Sequence, residues 1–385
     1  MDFELPEEIR ALRDVVRRFT DEELIPREPD APEGEGFPES YMRPLQDKVK
    51  ALGLWQLDVP REYGGVGMGL LARCVVQEEI SRSKATPWRE NPLFGPVVSP
   101  LLYEANDEQK ERFLLPVLRG RLRFCFAQTE PDAGGDPAGM RTTARRDGDH
   151  YILNGTKRFI TGAGKSDYAQ VLCVTNPEKT GDGRISVLIV DMRDPGVELI
   201  RQWPTMMTDA PWEVGFRDVR VPVANLLGAE GRGFSLGQRW LTAGRVRGHG
   251  ARCVGVAQRA LDIVLEQART EEALRSPSSE REPSELFVAG AAMEIEACRL
   301  IVHRTAWLGD QGRDIRDASY MAKVMCTEMA FRVVDEAMQL LGTRGLTGAL
   351  PLEYFYRQLR SYRITEGATE ILRWRLGRNL IRARA

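Results

Sequence analysis

The chain has no pair of cysteines spaced as CxxC and no cluster of cysteine with histidine. Its six cysteines, Cys74, Cys125, Cys173, Cys253, Cys298 and Cys326, stand singly, and its three histidines, His150, His249 and His303, lie far apart. A zinc centre needs several such ligands at close spacing, so no metal is expected, and apolar settings such as RFCFA and VLCVT predict buried free thiols. Excess charge of one sign is also missing: 54 basic against 56 acidic residues leave a net charge of −2. That balance points away from nucleic acid and anionic membranes as partners. No apolar run reaches the length of a membrane span, and the acidic opening MDFELPEEIR lacks the basic and apolar regions of a signal peptide. The expectation is a cytoplasmic protein.

The common nucleotide and nucleophile signatures are missing as well. GAGKSD at 162–167 has Phe159 where a P-loop needs its first glycine. YGGVGMG offers Gly65 and Gly67 but has Leu70 at the third glycine position, and it does not join a strand to a helix. There is no GxSxG. His249, in GRVRGHGARC, is surrounded by arginines that disfavour its protonation, and spacing offers it no serine or cysteine partner, so a histidine-based triad is not expected.

What is present is a globular composition, 42% hydrophobic and 29% charged over 385 residues, long enough for two or three packed domains. The first third reads as helices: Ile9, Leu12, Val15, Val16 and Phe19 recur at helical spacing, and LLARCVVQEEISRS and EQKERFLLPVLRG continue the pattern. From Phe124 the texture changes to short β-prone runs, RFCFAQTE, YAQVLCVT, RISVLIVDM and VGFRDVRVP. Asp147-Gly148 and Asn154-Gly155 read as hairpin dipeptides among them. Strands without intervening helices predict an antiparallel sheet or small barrel. After Gly233 helices return, and four long amphipathic stretches predict a four-helix bundle. The fold class is thus α+β, mostly α, with an N-terminal helical domain over 1–122, a middle domain of antiparallel sheet or small β-barrel over 123–232 and a C-terminal helical bundle over 233–385.

Near the end the chain reads RITEGATEIL, with a carboxylate, Glu366, directly before a glycine, and Ile364, Ile371 and Leu372 to either side. One reading is a helix start, with Thr365 as N-cap and Glu366 complementing the helix dipole. The other is a functional base. AQTEPDAGGD at 127–136 and NGTKRFITGAG at 154–164 likewise read either as an ordinary strand exit and hairpin or as site elements.

Taken together and in order, PREYGGVGMG, TEPDAGGD, NGTKRFIT, FRDVRVP with NLLGAEGRGF, QLLGTRG and RITEGATEI resemble the acyl-CoA dehydrogenase family over essentially the whole chain. The resemblance implies FAD as cofactor. It implies that Glu366 abstracts the α-proton of an acyl-CoA thioester while the β-hydrogen leaves as hydride to flavin N5, giving a 2,3-enoyl-CoA. A weakly acidic α-proton needs a close base poised by desolvation. Gly367 then lets the thioester approach the backbone, and Ile364 and Ile371 help wall the site. The flavin contacts implied are Phe126, Gln128 and Thr129, then Phe159, Ile160 and Thr161. Gln339, Gly342 and Thr343 match a stretch that meets the adenine end of FAD from a neighbouring subunit, and Ala368 and Glu370 match further FAD contacts. Gly135 stands near the substrate where serine is common. Arg245 matches a CoA contact, with local spacing that departs from the family by about a residue. The implied partners are the acyl-CoA, an electron-transfer flavoprotein as acceptor, and copies of the chain in a homotetramer or homodimer, with a hetero-oligomer as alternative.

Two other activities remain open on sequence: an acyl-CoA oxidase, and a non-catalytic subunit of a hetero-oligomeric dehydrogenase. The stretch 85–102 matches the region lining the acyl pocket, and the bulky, polar Trp88, Arg89, Glu90 and Asn91 argue against a long straight chain, unless they face solvent. One departure concerns the cofactor. Glu271 occupies the position of an arginine that binds the FAD pyrophosphate in the family, Leu274-Arg275 replaces Phe-Gly, and Glu282 replaces a glutamine. A carboxylate repels pyrophosphate, so either FAD is held less tightly, with 270–285 mobile, or a different subunit lends an arginine.

Overall fold

The computed structural model describes residues 4–34, 36–135, 139–181, 183–270 and 278–383. Glu271, Leu274 and Arg275 lie outside the described residues. The chain forms two compact units, one from Met1–Pro32, Leu57–Trp88 and Thr242–Ala385, the other from Glu33–Gln56 and Arg89–Leu241. The main helices are α1 (Glu7–Phe19), α2 (Glu39–Ala51), α3 (Leu70–Ile80), α4 (Gly233–Gly244), α5 (Arg252–Ala268), α6 (Ser278–Asp310), α7 (Arg316–Leu341), α8 (Leu352–Tyr362) and α9 (Thr369–Arg382). None of the described helices is long and apolar enough to cross a membrane.

In the first unit α5, α6 and α7 pack against one another around Val254, Ala257, Ile295, Val302, Cys326, Met329 and Val333. α3 joins them and is buried nearly all round. Its acidic residues are neutralised in place: Glu79 by Arg17 of α1 at 2.7 Å, Glu78 by Arg299 of α6 at 2.8 Å. Burying a carboxylate is tolerated only with such a partner. The fourth stretch expected in the bundle, α9, buries little beyond Thr369 and Leu372, while α8, whose helical spacing the sequence analysis passes over, adds Leu352, Phe355, Leu359 and Tyr362 to the core. α6 begins at Ser278, so the later part of the stretch expected to be mobile is helical.

The second unit carries the sheet: β1 (Phe124–Ala127), β2 (Thr143–Asp147), β3 (His150–Ile160), β4 (Tyr168–Val174), β5 (Ile185–Asp191), β6 (Val197–Gln202), β7 (Trp212–Pro222) and β8 (Leu226–Leu227). Their order is β6-β7-β3-β2-β4-β5-β8, with β1 against β4. Pairing is antiparallel apart from β1 with β4 and the single pair Thr143–Val174 of β2 with β4. Asp147-Gly148 makes the expected hairpin between β2 and β3. Asn154-Gly155 does not: it lies inside β3 at a register shift opposite β7, and Asn154 bonds Asp218 instead. An extra residue at a bulge bends the strand and re-aims the side chains beyond it. All six cysteines are buried and unbridged.

Candidate active site

Glu366 lies in the turn between α8 and α9. The N-cap of α9 is Ala368 and not Thr365, so Glu366 precedes the helix and the helix-start reading is corrected. Its backbone is left-handed, φ +53°, and Gly367 follows at +108°. A left-handed conformation costs a non-glycine residue about 1–2 kcal/mol and persists only where the surroundings impose it. They do. Arg245 Nε donates to the Glu366 carbonyl at 2.8 Å, and Lys323 Nζ donates to the Gly367 carbonyl at 2.8 Å. Glu328 of α7 accepts from Arg363 Nε at 2.9 Å and from the Thr369 hydroxyl at 3.0 Å, clamping both shoulders of the turn. A Cβ on Gly367 would meet Leu372 at 2.8 Å, so this position also needs glycine for space.

The carboxylate is 29% exposed, open enough to meet a ligand from a fixed backbone. Its Oε2 lies 3.4 Å from Nδ1 of His249, a buried residue, and a Cβ on Gly244 would come within 2.9 Å of the same oxygen. His249 Nε2 lies 3.1 Å from the Thr365 hydroxyl, and its ring stacks on Tyr362 at 4.1 Å between centroids. Tyr362 continues to Trp88 at 4.9 Å, so this side of the carboxylate is closed by packed rings. Lys323 has no exposed surface, and burial pushes its ammonium down to about 8 against the opposing pull of Cys253 and Glu366. Burial likewise lowers Arg245, against the pull of Glu366 and Tyr320. Arg245 Nη1 is buried with no hydrogen-bond partner among the described residues. The neighbouring Arg247 is raised by the charge of Asp58.

Arg245 and His249 both belong to a π-helix, Arg245–Ala251, set between α4 and α5. A π turn takes up an additional residue within a helix. Sequence reasoning misses His249 because it weighs the residue only against serine and cysteine partners.

The sheet unit carries the other predicted residues. Arg158 N–H donates to the Thr129 carbonyl at 2.8 Å, and Lys157 Nζ donates to the Gln128 carbonyl at 3.0 Å and to Glu130 at 2.8 Å. These bonds bring the Phe126–Thr129 and Phe159–Thr161 groups side by side. Phe159 sits at a second register shift of β3 with φ +61°, which throws its ring outward, 51% exposed, beside Trp203. Phe126 packs edge-on against Trp240 at 4.3 Å. The Ile160 side chain is buried in the sheet core, leaving its backbone alone for any contact. Gly135 is exposed. Gln339, Gly342 and Thr343 sit at the exposed C-terminal end of α7, and Glu370 is exposed in the first turn of α9. Ile364 is largely exposed and Ile371 half-buried. Arg89 pairs with Asp209 at 3.2 Å, and the Asn91 side chain accepts from Leu93 N–H, so neither simply faces solvent.

The helical, sheet and helical segments match, in turn, the family descriptions "Acyl-CoA dehydrogenase, N-terminal domain" over residues 6–121, "middle domain" over 125–219 and "C-terminal domain" over 231–381. The chain belongs to the acyl-CoA dehydrogenase family, whose members are oxidoreductases. It is 33% identical over 386 residues to the mitochondrial short-chain specific acyl-CoA dehydrogenase of Rattus norvegicus, covering 99% of this chain and 92% of that protein. Among solved structures it resembles butyryl-CoA dehydrogenase from Megasphaera elsdenii, with TM-score 0.85, 28% identity, and coverage of 99% of this chain and 100% of that one. It also resembles PigA with FAD and proline, with TM-score 0.83, 25% identity, and 99% of each chain covered.

Proposed function

We propose that the protein is an FAD-dependent dehydrogenase of short acyl-CoA thioesters, with Glu366 as the base that removes the α-proton. The observation that carries this reading is the Glu366 turn: a carboxylate on a left-handed backbone, anchored at both carbonyls by buried cations and partly open at its tip. A base so fixed loses little orientational freedom on meeting its substrate. The Glu366 amide and the buried Arg245 guanidinium, whose Nη1 needs an acceptor, are donors suited to a thioester or CoA oxygen.

The sheet residues fit a planar, amphipathic ring. Phe159 offers an exposed aromatic face, and Gln128, Thr129 and Thr161 offer hydrogen-bonding groups beside it. When bound, FAD supplies the acceptor for the hydrogen lost from the β-carbon. On this reading the electron acceptor is an electron-transfer flavoprotein and the compartment is the cytoplasm. Gln339, Gly342 and Thr343 would serve a cofactor shared with a second copy. Self-association is supported by α6, where Leu286, Met293, Leu300 and Trp307 recur every seven residues and are all exposed. A helix face of this kind is apolar surface that a partner helix covers.

The test is anaerobic mixing of the flavin-loaded protein with a panel of acyl-CoAs. Short-chain thioesters should bleach the flavin absorbance. Absence of bleaching with every thioester, straight or branched, would contradict the reading. Hydrogen peroxide released at the turnover rate would make it an oxidase.

A further inference from the structure

We propose that His249 is a positioning residue for Glu366, its Nδ1–H holding the carboxylate ionised and in one rotamer. The inference rests on Glu366 being the base. Two contacts carry it. His249 Nδ1 lies 3.4 Å from Glu366 Oε2, and Nε2 lies 3.1 Å from the Thr365 hydroxyl. The imidazole therefore spans two adjacent residues of the same turn, one nitrogen to each side chain.

The chemistry depends on which nitrogen holds the hydrogen. A threonine hydroxyl can donate to an unprotonated Nε2, leaving the hydrogen on Nδ1, where it faces the carboxylate. An N–H aimed at a carboxylate favours its charged form. Stacking on Tyr362 and packing in the π-helix leave the ring little room to turn. The separation of 3.4 Å is long for a hydrogen bond, as is common for catalytic contacts before substrate binds. Glu366 Oε2 and His249 Nδ1 are both buried, so solvent does not compete for the contact.

Other charged groups near the pair have their own engagements, and Arg252, directly after the π-helix, donates to the Trp88 carbonyl. On the π-helix, Arg245 bonds the Glu366 carbonyl and Arg247 pairs with Asp58. From α7, Lys323 bonds Gly367, Glu328 holds Arg363, and Tyr320 lies against Arg245 at 5.2 Å. Arg375 of α9 acts on Arg245. Cys253 borders Lys323, Cys74 borders Arg247, and Tyr362 is stacked on the imidazole. The cations supply a general field favouring the carboxylate. His249 adds a contact to its Oε2 at 3.4 Å, which is outside hydrogen-bond geometry in this structure.

The test uses three substitutions that separate the two ring nitrogens. His249→Asn places an amide N–H near the position of Nδ1, His249→Gln places one near Nε2, and His249→Phe keeps the stacking with neither. The pH dependence of single-turnover flavin reduction by a reactive acyl-CoA is measured for each. The acidic limb should move upward by about one pH unit in His249→Phe and His249→Gln, a tenfold loss on that limb, and should return close to wild type in His249→Asn. A second readout needs neither cofactor nor turnover. With three histidines in the chain, 15N-histidine NMR with His249→Asn as assignment control reports whether Nδ1 carries a hydrogen. A protonated Nδ1 is expected. An unprotonated Nδ1, or an acidic limb that stays in place in His249→Phe, would overturn the proposal. Glu366→Gln is run alongside: wild-type flavin reduction in that variant would sink the assignment of the base itself, whereas a dead Glu366→Gln with an unmoved His249→Phe limb would sink only the role of His249.

Discussion

Lys323 Nζ, with no exposed surface, donates to the Gly367 carbonyl oxygen at 2.8 Å, so the turn that presents Glu366 is held by an amine that burial brings down to about 8. The sign of the linked stability effect is fixed. Between about 8 and the ordinary lysine value of 10.5, the unfolded chain keeps a proton that the folded chain has lost. Stability from this group therefore rises with pH across that window. Compared with Lys323→Met, the wild type should gain about 2 kcal/mol in unfolding free energy between about pH 7.5 and 9.5. Denaturant titrations of both proteins at the two pH values measure this, and a constant difference would contradict it.

Gly244 separates stability from activity. Its backbone is helical, φ −58°, so alanine fits the conformation and gains helix propensity. The added methyl would stand 2.9 Å from Glu366 Oε2 and push the carboxylate aside. Gly244→Ala should keep or raise the melting temperature while lowering the rate of flavin reduction on the order of 10²-fold. Unchanged reduction would mean that the carboxylate does not work from this position.

In the sheet, Lys157 is buried against Glu130 and the Gln128 carbonyl. Burial alone would lower Lys157 and raise Glu130, but the contacts keep Glu130 below the usual carboxylate range. Lys157→Met strands that carboxylate and should cost about 3–5 kcal/mol. It should also loosen FAD by releasing Gln128 from Lys157. Lys157→Met with Glu130→Gln should recover much of the stability. Thermal melts and flavin retention on dialysis read both effects, and a double variant no more stable than the single one would contradict the pairing.

The stripe on α6 predicts an assembly. Met293→Glu with Leu300→Glu places charge on a face whose four apolar residues are exposed in the single chain. The variant should sediment as a smaller species than wild type at equal concentration. Wild type sedimenting as a monomer would contradict the assembly.

Much of the fold was legible in the sequence because periodicity changes near Phe124 and again after Gly233, and a core must obey that period. Features set by other forces were not. α2 and α8 do carry helical apolar spacing, Met42, Leu45 and Val49 in one and Leu352, Phe355, Leu359 and Tyr362 in the other, but Pro44 interrupts the first and the second spans only 11 residues. β6 lies at the sheet edge with nearly every residue exposed, so it has no buried alternation to read. Asn154-Gly155 has turn chemistry, but pairing with β7 on both sides turns it into a bulge. Glu366 was legible through its motif. The π-helix that brings His249 to it was not, because a wider helical turn leaves no mark in residue type.

Glu366→Gln tests the central claim most directly. The substitution keeps shape and removes basicity, so FAD should stay bound while reduction by a short-chain acyl-CoA, followed anaerobically in a single turnover, falls by about 10³-fold or more. Reduction at the wild-type rate in the flavin-loaded variant would contradict the account.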